Sequence, residues 1–416
     1  MLAETNSGVG SIAVANTGAP GVLAGVRASG RDLRLDFFRG LALIFIFIDH
    51  VPGNIFANFT LRNFGFVDAA ELFVFVAGYA AALAYGRTFA RAGFIPGLRR
   101  VGKRVAEIYA AHLIVLIICV GGISIAARAL ENPLYYEFIN LVPFAYEPFE
   151  AILRVLALNH HLIYLNILPL YIVLLAWFPV LLWLLRRHPA LALGASLALY
   201  ALAQFAGLNL PSYPNNDGWF FNPFAWQLLF SIGAILGDRV RGGAKPLPRP
   251  RWLIGLAAAY ALFALAVIAP WTKIEWFETW RLVPGDLLAP MDKTNLSPWR
   301  LMHILALAYL VAIFVKPGAA WLDRLWARGI IACGRKSLDI FCLGTVFSFV
   351  GLFVLIEAGR DFAIQAAINL GGIGLMMAAA TWLSRQKAQA IPTTSPARPA
   401  ETAGLSSGAP PSPSAS

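Results

Sequence analysis

The chain has 416 residues, of which 59% are hydrophobic and only 13% charged, with a mean hydropathy of +0.67 and a formal net charge of +11. A soluble domain carries about 25% charged residues, so the composition excludes an ordinary soluble protein and predicts an all-α, polytopic membrane protein. The basic residues lie in short clusters between apolar runs, not along one face, which excludes nucleic acid as the partner that explains them. Cys119, Cys333 and Cys342 all sit inside apolar stretches, so neither a disulfide framework nor a metal cluster is expected.

In chain order, residues 1–30 are Gly/Ala/Ser/Val-rich and lack the basic start and continuous apolar core of a signal peptide; they are predicted to be a disordered tail. A membrane domain is expected over 31–385. Residues 386–416 are Pro/Ser/Ala-rich, unable to build a core, and predicted disordered. A spanning helix needs roughly 20 mostly apolar residues, which gives about ten transmembrane helices in the domain. They fall at 35–57, 68–86, 105–128, 161–185, 190–207, 222–239, 252–270, 300–316, 330–356 and 363–384. Every second connection is basic: Arg87 to Arg104, Arg186 and Arg187, Arg239 to Arg251, Lys316 to Arg328, then Arg385 and Lys387. Cytoplasmic loops carry that excess, so both termini are expected in the cytoplasm. The opposite loops are aromatic and Asn/Pro-rich.

The first predicted span, "RLDFFRGLALIFIFIDHVPG", carries charges that hydrocarbon does not tolerate for nothing. An Asp or Arg at the centre of a membrane helix costs about 2.5–3.5 kcal/mol on insertion scales. On a helical wheel, residues 39 and 50 fall about 20° apart and about 16 Å apart along the axis. Asp36 and Asn54 continue the stripe that Arg39 and His50 define, so this face should line a polar interior. Asp49 points about 100° away from His50. An interfacial Asp36–Arg39 ion pair with His50 at headgroup level is the competing explanation.

The second span, "VDAAELFVFVAGYAAALAYG", brings Asp68 and Glu71 to the same end of the bundle as His50. A histidine beside a carboxylate is a general-base arrangement, and Glu71 is the expected partner, although an acid in a first helical turn also favours the dipole. Glu71, Gly78, Ala82 and Tyr85 share a face whose small residues permit close helix contact. The candidate catalytic residues are thus His50, Arg39, Glu71, Asp36 and Asp49. Asp68, with Asp292 and Asn295 of "DKTNLSP" and His303 just beyond, forms a candidate set for hydroxyl recognition. Trp219, Trp271, Trp276, Trp280 and Trp299 offer sugar-stacking faces or interfacial anchors. His112, His160, His161 and Asp339 are expected to be hydrogen-bonded residues of the bundle. Arg335 and Lys336 begin the ninth span as topology signals or cofactor contacts.

These segments resemble a known family. "LDFFRGLALIFIFIDH" contains Arg-x10-His, as on the first helix of the acyltransferase-3 family of membrane O-acyltransferases. "DAAELFVFVAGY", "LPLYIVLL", "NPFAWQLLF", "DKTNLSPWRLMH" and "GRKSLDIFCLGT" narrow the resemblance to the OpgC branch, over about residues 32–384. The resemblance implies a multi-pass enzyme of the bacterial inner membrane. It would move an acyl group, typically succinyl, from cytoplasmic acyl-CoA to an osmoregulated periplasmic glucan. Carried over, His50 is the catalytic histidine, Arg39 its motif partner and Glu71 the second-helix acid. The family's Arg-x-x-Arg-Ile-Tyr departs here to "RVAEIY", with Glu107 in place of the second arginine. Arg99, Arg100, Lys103 and Arg104 then stand as basic donors for coenzyme A phosphates, with positive-inside topology as the competing explanation.

With an unperturbed pKa near 6.5, a histidine can take a sugar hydroxyl's proton during attack on a thioester, and a covalent acyl-histidine remains open beside it. A proton-coupled secondary transporter using the same Asp/Arg/His stripe is the rival class. An accessory subunit would not need the stripe. Acyl-CoA, the glucan and the bilayer are therefore the expected partners, with no nucleic acid, no metal and no permanently bound cofactor.

Overall fold

A computed structural model describes residues 32–132, 134–138, 140–244, 247–268 and 291–389. The first predicted tail, most of the second, and Trp271, Trp276 and Trp280 lie outside the described residues. The described chain is all-helical, without a strand among the described residues. Helix α1 (Leu33–Asp49) is capped by Asp32, whose side chain accepts from the Arg34 amide. It ends at Asp49 rather than continuing to residue 57. The cause is local: Pro52 disfavours helix in the residue before it, and Gly53 turns the chain at φ +70°. His50 is therefore the helix C-cap, and Asn54 leaves the predicted stripe to cap a short 3₁₀ turn (Ile55–Phe59).

Helix α2 (Ala69–Arg91) starts at a capping box in which the Asp68 side chain takes the Ala70 amide and Glu71 takes the Asp68 amide. Gly93, at φ +91°, separates it from α3 (Phe94–Ala129), which is 36 residues long. The basic run 99–104 thus lies on the first turns of α3, not in a loop as predicted. Three short helices follow: α4 (Leu134–Phe138), α5 (Val142–Tyr146) and α6 (Pro148–Leu156). The chain continues through α7 (Ile167–Arg187), α8 (Pro189–Phe205), α9 (Pro223–Arg241), α10 (Arg251–Ile268) and α11 (Pro298–Phe314). The predicted ninth span is two helices, α12 (Leu325–Arg335) and α13 (Ser337–Glu357), broken at Lys336. Helix α14 (Phe362–Gln389) absorbs the first residues of the predicted C-terminal tail.

Among the described residues, six helices are long and apolar enough to cross a membrane: α2, α3, α7, α10, α13 and α14. Helices α8 and α11 are apolar but shorter. Helix α1 also stops short, and α9 carries Gln227, Ser231, Asp238 and its arginines. Large apolar side chains on α3 (Ile117, Ile125) and α10 (Trp252, Leu256, Leu262) face outward, as lipid-facing helices require.

Two glycine seams set the interior. Gly78 of α2 lies against the Phe230 carbonyl of α9, while Gly233 and Gly237 of α9 lie against the Phe75 and Tyr79 carbonyls of α2. Likewise Gly40 of α1 meets the Ile330 carbonyl of α12, and Gly334 meets the Asp36 carbonyl. A Cβ at any of these five positions would overlap backbone. In a bilayer, helix association rests on such close packing because lipid supplies no hydrophobic drive between helices. Helices α1 and α2 also pack directly on each other, so the charged residues of both belong to one central pair.

Candidate active site

Helix α1 delivers its charges to two places. At its C-terminal end the His50 ring stacks on Tyr164, centroids 4.3 Å apart and planes 28° from parallel. Tyr164 holds this position from a left-handed backbone, φ +70°, a conformation that costs a bulky residue about 1–3 kcal/mol. The Nδ1 atom of His50 is buried and has no hydrogen-bond partner among the described residues. Native proteins leave few buried polar atoms unpaired, and this is one of six such side-chain atoms among the described residues. Beside the ring, Asp49 accepts from Thr60 Oγ at 2.6 Å and pairs with Arg62 at 3.4 Å. Asp49, Asn54, Asn58, Arg62 and Tyr164 line a polar cavity of about 400 Å³.

Next to it lies an ion network that anchors the start of α2. Arg300 reaches Glu71 at 2.6 Å and Asp68 at 3.3 Å, and Lys293 pairs with Asp68. Glu71 is fully buried, with one oxygen on Arg300 and the other on the Asp68 amide. Asp68 precedes the spanning helix. Burial disfavours its charge, but Lys293 and Arg300 outweigh that and hold the carboxyl well below the usual carboxylate range. Asp49 adjoins His50 in the chain, whereas Glu71, the expected partner, is held by Arg300 and the Asp68 amide.

The segment "DKTNLSP" builds this network. Asp292 takes the amides of Thr294 and Asn295, closing a tight turn. Trp226 Nε1 donates to the carbonyls of Lys293 and Thr294, and Asn222 donates to Asn295 Oδ1 at 2.8 Å. The turn holds the Lys293 ammonium over Phe220 and Phe221, pointing at Asp68. His303 accepts from the Phe66 amide at 3.1 Å and packs on Gly65, so it fastens the loop that leads into Asp68.

At the other end of α1, Arg39 enters a second cavity of about 500 Å³. Its lining holds Arg100, Lys103 and Arg104 of α3, Arg335 of α12, Tyr85 and Tyr171, and reaches Phe73, two residues past Glu71. Five cations face one carboxylate there, Glu107, which pairs with Arg104 at 2.9 Å. Asp36 pairs with Arg335 at 3.4 Å. This basic cavity has the chemistry to hold a polyanion, phosphate groups above all.

Of the predicted residues, Arg39, Arg100, Lys103 and Arg104 converge on the basic cavity, with Arg99 outside its lining. His50 and Asp49 meet at the opposite end. Asp292, Asn295 and His303 hold loops in place through the contacts above. Trp219 is buried against the His161 ring and presents no stacking face, and Trp299 packs with Phe66. Both ring nitrogens of His160 face carbonyls, as expected of a bundle residue, whereas those of His112 are buried without partners among the described residues. Tyr164, Arg62, Lys293 and Arg300 were not anticipated as site residues. Lys293 and Arg300 stand inside the recognised "DKTNLSPWR" segment, which was the available signal; Tyr164 and Arg62 carry no sequence signature.

Neither a curated protein nor a solved structure matches the chain. A family does: residues 31–388 match the one described as OpgC protein. That match spans every described helix except the final residue of α14, both cavities and the whole ion network. The chain belongs to the OpgC protein family.

Proposed function

We propose that the chain is a multi-pass O-acyltransferase of the bacterial inner membrane, within the acyltransferase-3 superfamily. It moves an acyl group, succinyl in the first instance, from cytoplasmic acyl-CoA to hydroxyls of an osmoregulated periplasmic glucan. Both termini are cytoplasmic, with about ten helices in the bilayer by the length rule. One observation carries this reading beyond family membership. A single helix joins a cation-rich cavity, at Arg39, to a half-buried histidine beside a polar cavity, at His50, whose Nδ1 is buried.

The division of labour follows from charge. Phosphates and the nucleotide of the donor bind among Arg39, Arg100, Lys103 and Arg335, with Tyr85 and Tyr171 as stacking surfaces. The acyl arm extends along α1 past Phe73 toward His50. There the glucan hydroxyl oxygen bonds to the thioester carbonyl carbon and the C–S bond breaks. His50 takes the hydroxyl proton and returns it to the departing thiolate, so the products are an ester and free coenzyme A. Tyr164 fixes the imidazole plane. The Asp68–Arg300–Glu71 network holds the start of α2, and with it the wall of the site.

The test is protein purified in lipid nanodiscs with succinyl-CoA and glucan. Thiol release matched by a succinyl mass increment on the glucan supports the reading. Folded protein that releases no thiol sinks it. A carrier would instead accumulate substrate in vesicles with its chemistry intact.

A further inference from the structure

We propose that the polar cavity of Asp49, Asn58, Arg62 and Tyr164 is the acceptor subsite, shaped for a neutral hexose unit. This inference rests on the acyl-transfer reading for its role and adds Asp49, Asn58 and Arg62, which that reading does not require. Three observations point the same way. First, the cavity adjoins the one buried ring nitrogen of the site that lacks a partner, His50 Nδ1, through Tyr164, which lines the cavity and stacks on the histidine. Asp49, the residue before His50, lines the cavity, so a sugar seated there lies beside the chain segment that carries the base.

Second, the charges balance. Asp49 is matched by Arg62, and the adjoining Asp68 and Glu71 by Lys293 and Arg300. An anionic ligand gains nothing from such a site, whereas adjacent sugar hydroxyls both donate to a carboxylate and accept from a guanidinium. The basic cavity at Arg39 has the opposite character. Third, the volume of about 400 Å³ suits a small ligand, and the lining residue Arg62 is 44% exposed, so the cavity opens to solvent there. The strained backbone of Tyr164 belongs to the same place, as strain collects at ligand sites.

Each residue has a distinct part. Asp49 and Arg62 bind hydroxyls and set acceptor affinity. Tyr164 is a positioning residue, acting on the reaction through the His50 ring.

The experiment measures binding and turnover separately in nanodiscs. A β-linked glucohexaose is titrated calorimetrically into the wild type, Asp49→Asn, Arg62→Gln and Tyr164→Leu, with coenzyme A binding and thermal melting followed on the same samples. Asp49→Asn keeps an acceptor for Thr60 and Arg62→Gln alters a half-exposed side chain, so both should fold. Expected is wild-type binding that weakens at least tenfold in both variants, with coenzyme A affinity within twofold. In turnover, the same variants raise the acceptor KM at near-constant donor KM, while Tyr164→Leu lowers kcat and Tyr164→Phe restores it. Wild-type protein that fails to bind glucohexaose, or variants that bind it as the wild type does, overturn the subsite. Arg62-dependent sugar binding without thiol release supports the subsite and overturns acyl transfer instead.

Discussion

The two ends of α1 handle charge in opposite ways. Around Arg39 the cavity gathers five cations against one carboxylate; around His50 three cations meet three acids in close pairs. A surplus attracts anions, which under the proposed reaction are the donor's phosphates. A balanced set does not attract, but it fixes geometry, most of all at Arg300 and Glu71, where removing one leaves a buried charge without compensation. One helix therefore carries a surplus of positive charge at one end and a set of paired charges at the other.

That contrast can be broken in graded steps. The largest effect is expected at His50. His50→Gln should lower glucan acylation by about 100-fold or more, the usual reach of general-base catalysis, at unchanged protein level by immunoblot. Wild-type acylation would remove the catalytic half of the comparison. Next comes the paired set. Arg300→Gln leaves Glu71 buried without its partner and should cost about 3–5 kcal/mol, read as a lower melting temperature, with Glu71→Gln in the same chain recovering part of it. If Arg300→Gln melts like the wild type, the network is not structural. A smaller loss is expected at the seam: Gly78→Ala forces a Cβ onto the Phe230 carbonyl and should cost about 1–3 kcal/mol in detergent melts. At the Arg39 end, Lys103→Gln should raise the donor KM about tenfold with kcat preserved and flatten its salt dependence. Arg99→Gln should change the donor KM less than twofold, since Arg99 is not in the lining.

Hydropathy found the helices because a bilayer imposes length and apolarity on each segment separately. It placed their ends poorly where one residue outweighs the average, as Pro52 does after α1 and Lys336 does between α12 and α13. The wheel put Arg39 and His50 on one side of α1, and the basic run 99–104 pointed to the cation-rich cavity, which Arg100, Lys103 and Arg104 line. Partner choice was not readable. Glu71 is the sequence's candidate companion for His50, and the structure pairs it with Arg300, 229 positions away. Likewise "DKTNLSP" was visible as a polar cluster, but its polar atoms are used to build a turn. Only Lys293 leaves that turn to join the site. Such long-range pairings depend on packing that a single helix does not encode.

The glycine seams have a mechanical consequence. With α1 pressed backbone to backbone on α12, and α2 on α9, neither pair has slack for one helix to slide past the other. Each pair is therefore expected to behave as one rigid body. Under the proposed reaction, travel across the membrane's depth then falls to the supple arm of the donor, while the protein around it stays still.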